Sequence, residues 1–157
     1  MIAKYDRPPY QPKWLLQAQV FLLRHLRSAF NKQTMIVTTT GRKTGHKHAI
    51  PINYIPDGTA YLAVNIGGHS NWYLNALANP CVTLEVDGKT LEARAESVPE
   101  KDLQALRRVL DVFAHQRPNL YRRFFGLSGD TPSDSELLNI SKRVAFMRFS
   151  PMVQQAN

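Results

Sequence analysis

A single cysteine, Cys81, stands in 157 residues. It cannot form an internal disulfide or build a thiolate zinc site, which excludes disulfide scaffolds and zinc fingers and fits a reducing cytosol. Long apolar runs are missing as well. The most apolar stretch, Trp14 to Leu23, is interrupted by Gln17 and Gln19 and is followed by Arg24, His25 and Arg27. It falls short of the roughly 20 apolar residues that span a bilayer. No apolar core follows the first charges of the chain, so its start does not read as a signal peptide. The five histidines, His25, His46, His48, His69 and His115, form no recognised ligand spacing, and no metal site is expected. Acids are scarce in one place only. The first 50 residues carry nine Lys and Arg against one acid, Asp6, while residues 51–157 carry eleven of each sign. The whole net charge of +8 therefore belongs to the N-terminal third. A local field of that sign implies an anionic partner there: phosphate, polycarboxylate, nucleic acid or anionic lipid.

What is present reads as one globular domain of ordinary composition, long enough to bury a core. Residues 1–13 are Pro-rich and polar, an extended lead-in. From Lys13 to Phe30, Leu15, Ala18, Leu22, Leu26 and Ala29 recur at three- and four-residue steps, which predicts an amphipathic helix. Its apolar stripe reads first as a cap on the core. Contact with a membrane surface through residues 13–30 is the alternative, because apolar and basic side chains share the helix. The expected location is the cytoplasm, with membrane association as that alternative.

Met35–Thr40 is short and β-branched, a strand. Gly41 to Gly45 is a loop with two cations, and His48 to Ile55 a second strand, in which Pro51 argues for an edge or a bulge. Pro56-Asp57-Gly58 signals a turn, and Thr59 to Ile66 returns as a third strand. Ser70 is placed to cap a short helix over 71–77 that ends before Pro80. Val82–Val86 and Thr90–Ala95 alternate around Asp87-Gly88, a strong hairpin signal. Ser97 to Glu100 has the spacing of a capping box for a helix over 99–115, and Pro118 opens another to Phe125. Gly126 to Ser135 reads as a loop, and Arg143 to Phe149 as the last strand. About six strands with recurring hairpins and no βαβ rhythm predict a mainly antiparallel α+β fold, or a barrel with helical decorations.

Two segments carry the chemistry. In Thr38-Thr-Thr-Gly-Arg-Lys-Thr-Gly45 a strand ends in hydroxyls and a Gly-rich turn presents Arg42 and Lys43. Glycines let backbone N–H groups approach an anion, Arg offers a planar fork and Lys a point charge. His46, Lys47 and His48 follow. This is a phosphate or carboxylate cradle or, equally on physics alone, a solvated hairpin turn. It is not a P-loop, whose glycine spacing and Lys-Ser/Thr pair are missing. In Asn65-Ile-Gly-Gly-His-Ser-Asn-Trp-Tyr-Leu-Asn-Ala-Leu-Ala-Asn-Pro80, Gly67 and Gly68 allow close backbone approach, and a helix start offers free N–H groups. Trp72 also reads simply as a core anchor, and His69 as a polar loop residue. Nothing in the chain supplies electrons, so redox chemistry would need a borrowed cofactor.

The run TTTGRKTG, then Pro51 in the next strand, then WYLNALANP, then V-x-L-E-V and a D-G hairpin, together resemble the deazaflavin-dependent nitroreductase and quinone reductase family. The similarity covers 34–98 and extends more loosely to 143–151. It implies a split β-barrel related to pyridoxamine phosphate oxidases, filling the chain as one domain. Residues 1–33 would form the lead-in and helix, 34–151 the barrel with helical insertions, and 152–157 a tail. It implies coenzyme F-420, with FMN as the alternative cofactor. Arg42, Lys43 and Thr44 would line the coenzyme's phosphate and oligoglutamate tail. Pro51, Ile52 and Asn53 would lie beside the ring. Ile66, Gly67, Gly68 and Ser70 would contact ring or phosphodiester, and Trp72, Tyr73 and Asn75 would hold the closing helix. The Pro-Arg pair common in the family a few residues after the cradle is replaced here by Lys47 and His48, which adds His48 to the site and makes tail binding weaker or pH-dependent.

The function implied is hydride transfer from the reduced deazaflavin to a small, flat, electron-poor acceptor such as a quinone or nitro compound. Tyr54, Ser70 and Tyr121 are the candidate catalytic donors, with His115 as a further one. Phe113, Phe124 and Phe125 are candidate walls of an apolar substrate site. A homodimer is expected from the resemblance alone. The rivals are an FMN- or haem-binding split barrel and a non-catalytic module for anions or nucleic acid. The last leaves both motifs unexplained and places no aromatic in the cationic loop, so no nucleic-acid partner is expected.

Overall fold

The computed structural model describes residues 11–26, 33–66, 70–127 and 131–153. Seven strands form one sheet: β1 (Thr34–Thr40), β2 (Lys47–Asn53), β3 (Ile55–Asp57), β4 (Ala60–Ile66), β5 (Cys81–Val86), β6 (Lys89–Ser97) and β7 (Val144–Pro151). Every pairing is antiparallel, in the order β2-β1-β5-β6-β7-β4-β3.

The ends of that order explain the architecture. β2 and β3 are consecutive pieces of one extended segment, separated only by Tyr54. The first piece pairs with β1, from Thr34 opposite Asn53 to Thr40 opposite Lys47. The second pairs with β4, Ile55 opposite Leu62. At the bend the Tyr54 N–H donates to the Gln33 carbonyl at 2.9 Å. One segment thus borders both ends of the sheet, and the sheet curls into a split barrel that leaves little open edge. This also corrects the strand count. The single strand expected over 48–55 divides at Tyr54, and Pro56 and Asp57, expected in a turn, pair with Tyr61 and Ala60. The turn contracts to Gly58-Thr59, with Gly58 at φ +60°. Pro51 lies on terminal strand β2, where its missing N–H breaks no second ladder.

Alternation along the strands separates two cores. Met35, Val37, Leu84, Ala93, Met147 and Phe149 fill the barrel side, closed by Tyr73 and Ala76 of α2 (Asn71–Ala78). On the opposite face Leu62, Val144 and Phe146 meet α3 (Leu103–Gln116), α4 (Pro118–Phe125) and α5 (Asp134–Ser141) through Leu106, Leu110, Phe113, Phe125, Leu137 and Ile140. A third, small cluster seats α1 (Lys13–His25): Val20 and Leu23 pack on Ile36 and Ala49.

Three helix expectations change. α3 starts at Leu103, capped by the Asp102 carboxylate, which accepts from the Ala105 N–H at 2.9 Å. Ser97 is no cap: it ends β6 and shares a 2.7 Å hydrogen bond with the Tyr73 hydroxyl. The capping box lies instead at Ser133 and Glu136, opening α5 in a region where no helix was predicted. α1 ends at His25, and residues 27–30 of the expected helix lie outside the described residues, as do the first ten residues and 154–157 of the expected tail. Only two of its side chains are fully buried, while Trp14, Phe21, Leu22 and Leu26 are exposed, so the core-capping face is narrower than its apolar stripe. Among the described residues no helix is long and apolar enough to cross a membrane.

Candidate functional site

The β1–β2 loop is held by its own backbone. The Gly41 N–H donates to the His46 carbonyl at 2.7 Å, and the Gly45 N–H to the Gly41 carbonyl at 2.8 Å. Gly45 sits at φ +70°. Gly41 is required for a different reason: a Cβ there would fall 2.8 Å from Thr44 Oγ1 and 3.0 Å from His48 Nε2. The turn is therefore packed tightly enough to fix where its cations stand.

α2 does the rest of the fixing. Asn71, Asn75 and Asn79 recur every four residues and so share one helix face. Asn75, buried, accepts from the Arg42 backbone N–H at 3.2 Å and from Arg42 Nη1 at 2.8 Å. Asn71 Oδ1 accepts from both terminal nitrogens of the same guanidinium, at 3.4 and 3.3 Å. Asn79 donates to the Thr40 carbonyl at 3.3 Å. The partners of Arg42 are neutral amides, so the guanidinium is oriented without being neutralised. Lys47 is held in its turn, its ammonium donating to Thr40 Oγ1 at 2.9 Å.

These groups rim a cleft of about 800 Å³ between α1, the β1–β2 loop, β2 and the start of α2. Among the described residues, Lys13, Arg24, Arg42, Lys43 and Lys47 line it with His25 and His48, and no acid does. One of the cations is compensated from outside: Arg24 forms a forked pair with Glu85 of β5, Nε to Oε2 at 2.9 Å, and this raises the Arg24 pKa still further. That pair ties α1 to the sheet. The inner surface is largely apolar, with Ala49, Ile50 and Trp72, and it contains a second buried polar side chain besides Asn75. Thr39 is fully buried, and its hydroxyl has no hydrogen-bond partner among the described residues.

A family model described as F420H(2)-dependent quinone reductase matches residues 24–123. The chain belongs to this family. Among characterised relatives, an F420H(2)-dependent quinone reductase of Mycobacterium tuberculosis is 34% identical over 73 residues, covering 44% of this chain and 49% of the relative. The chain thus spans about half the length of the curated relatives it matches. Two solved structures share the fold. One is an F420-H2 dependent reductase, 20% identical with a TM-score of 0.53, covering 77% of this chain and 96% of the other. The second, from Listeria innocua, carries the description "putative pyridoxamine 5'-phosphate oxidase" and is 11% identical with a TM-score of 0.51, covering 88% of this chain and 94% of the other. The split barrel expected from the motifs of this quinone reductase family is the fold found.

Of the residues the family resemblance singles out, Arg42, Lys43, Thr44, His48, Trp72 and Asn75 come together in the cleft. The β2 contribution is shifted. Lys47 to Ile50 line the cleft, whereas Ile52 packs on the barrel core and Asn53 accepts from the Thr34 hydroxyl at 3.0 Å. Pro51 is half-buried next to them and lies outside the lining. Ile66 packs on the helical face of the sheet. Gly67, Gly68 and His69 lie outside the described residues. Ser70 precedes α2 without capping it, since its hydroxyl donates to Asn65 Oδ1 at 2.5 Å.

The candidate donors do not converge. Tyr54 is buried in the barrel core, its hydroxyl 3.4 Å from an Asp87 carboxylate oxygen, and it stands edge-on to Tyr61. Tyr121 is buried under α3, with Phe113 and Phe125, on the face of the sheet opposite the barrel core. Phe113 and Phe125 are therefore core residues, and Phe124 packs beside them. His115 bonds back to the Asp111 carbonyl of its own helix at 2.7 Å. What the sequence reading missed in the cleft is its second wall. Lys13, Leu16, Val20, Phe21 and Arg24 come from α1, a helix read only for its packing or membrane face.

Proposed function

We propose that the chain is a deazaflavin-dependent reductase that passes a hydride from reduced coenzyme F-420 to a small, flat, electron-poor acceptor of the quinone type. The observation that carries this reading is the cleft itself, lined among the described residues by five cations and no acid, with Arg42 oriented by amide oxygens that leave its charge intact. The coenzyme fits that lining, because its tail is multiply anionic and its ring is flat and largely apolar.

In this reading Arg42, Lys43 and Lys47 hold the tail, and the turn fixed by Gly41 and Thr44 sets their positions. His48 adds a further hydrogen-bonding group, and Ile50 and Trp72 give the ring an apolar bed that excludes water. When bound, the reduced deazaflavin supplies two electrons and a proton as hydride. The protein contributes orientation and a preorganised positive field, which stabilises negative charge without reorganising during the reaction. Asn71 and Asn75 act through Arg42 as positioning residues.

The test is a fluorescence titration of the purified chain with oxidised F-420 beside FMN. Saturable binding of F-420, weakened by added salt, supports the reading. Binding of FMN alone overturns the donor and keeps a flavoprotein. DNA affinity that collapses with salt, with neither coenzyme bound, overturns the enzyme reading in favour of an anion-binding module.

A further inference from the structure

We propose that Thr39 is the hydrogen-bond donor that registers the planar ring in the cleft, its hydroxyl donating to a ring carbonyl oxygen. The inference rests on the deazaflavin reading and assigns one contact within it. A polar group removed from water without a partner destabilises a fold, and such groups are rare in settled cores. Thr39 is such a group: it has no exposed surface, its Oγ1 has no partner among the described residues, and it lines the cleft, so a ligand reaches it only once a neighbouring cleft side chain moves aside. The strand pattern offers no internal remedy. Thr39 lies on the same face of β1 as Met35 and Val37, both in the barrel core, and its cross-strand neighbour is His48, itself a cleft residue. Thr38 and Thr40, one step either way, fall on the opposite face.

The surroundings choose the ligand chemistry. On its own face of the sheet the hydroxyl stands beside His48 and Ile50, with Trp72 also in the lining, whereas Arg42, Lys43 and Lys47 stand in and beside the loop. A phosphate or carboxylate buried against a neutral hydroxyl and apolar walls would lose hydration that one hydroxyl cannot replace. A carbonyl oxygen on a flat heterocycle matches one neutral donor in an apolar bed. Thr39 is therefore assigned to the ring and the loop cations to the tail.

The experiment compares wild type, Thr39→Val and Thr39→Ser. Valine keeps the shape without the hydroxyl, and serine keeps the hydroxyl. The probes are intact F-420 and a tail-free deazaflavin that retains its ring carbonyls, with thermal unfolding of each ligand-free protein measured alongside. T39V should lose about 10-fold in affinity for both probes, the scale of one buried hydrogen bond, and T39S should retain most of it. Ligand-free T39V should unfold at the same temperature or higher, because no protein group loses a partner. Unchanged T39V binding, where wild type binds, overturns the assignment and leaves the functional reading standing. A loss confined to the tailed coenzyme, or a less stable ligand-free T39V, also overturns it, by placing the hydroxyl at the tail or inside the fold. Wild type that binds neither probe overturns the functional reading and this contact together.

Discussion

Arg42 owes its usefulness to two asparagines rather than to its own position. A flexible surface arginine would spend its charge on solvent, but here Asn75 takes both the backbone N–H and the guanidinium, and Asn71 takes the guanidinium again. Asn75→Ala removes the acceptor for both kinds of donor in a nearly buried place. Stability should fall by about 1–3 kcal/mol, the cost of leaving a backbone N–H unpaired. Affinity for an anionic ligand in the cleft should fall with it, while Asn71→Ala, which removes only the longer contacts, should cost less on both counts. Chemical denaturation and ligand titration of the two variants check the order. The spacing of Asn71, Asn75 and Asn79 is plain in the sequence, and so is the Gly-Arg-Lys loop. What the sequence does not carry is that the two meet, because that contact depends on the register of β1 against β5 and on where α2 settles across the barrel mouth.

At the scale of elements, the parts legible from sequence were those governed by local chemistry. The Asp87-Gly88 hairpin, with Asp87 at φ 49° and Gly88 at φ 77°, and the Pro118 helix start both follow from residues within a few positions of each other. β3 was hidden because Pro56 and Asp57 are turn residues by composition and become a strand only through β4. α5 was hidden for the converse reason: its eight residues follow a Gly- and Ser-rich stretch that reads as loop. Its start is nevertheless specified by Ser133, whose hydroxyl and N–H both engage the Glu136 carboxylate. Those bonds hold the Glu136 carboxyl below the usual carboxylate range. The folded protein therefore binds that proton less readily than the unfolded chain, and the stabilisation is present at neutral pH. It is lost as pH falls through the lowered folded value. Glu136→Gln should accordingly destabilise the protein at neutral pH, and the difference from wild type should shrink to nothing in strong acid. Thermal melts of both proteins across that range would show it, and a difference independent of pH would mean that the amide substitutes poorly for reasons of shape.

Over the whole molecule, closure of the sheet is what turns a sequence-level charge imbalance into a field with a location. Of the nine basic residues of the first 50, Lys13 and Arg24 lie on α1, Arg42 and Lys43 in the β1–β2 loop and Lys47 on β2. Pairing of β2 with β1 and seating of α1 on Ile36 and Ala49 bring Lys13 and Arg24 to face Arg42, Lys43 and Lys47 across one cleft. The acids among the described residues stay out of it, and the one that reaches α1, Glu85, is already engaged with Arg24. Charges of one sign around a concave surface attract a counter-charged ligand more than the same charges dispersed would, and the attraction weakens as salt shortens the screening length to about 8 Å at physiological ionic strength. Lys43→Ala combined with Lys47→Ala should therefore do two things. At low salt it should weaken binding of the tailed coenzyme roughly 5- to 30-fold, taking about 0.5–1 kcal/mol for each exposed charge contact. It should also flatten the dependence of affinity on salt. A tail-free ring fragment should show neither effect if, as proposed, its contacts lie on the apolar bed of Ile50 and Trp72. Titrations of both ligands at several salt concentrations separate the cases, and equal losses for the two would mean that the lysines shape the cleft rather than charge it.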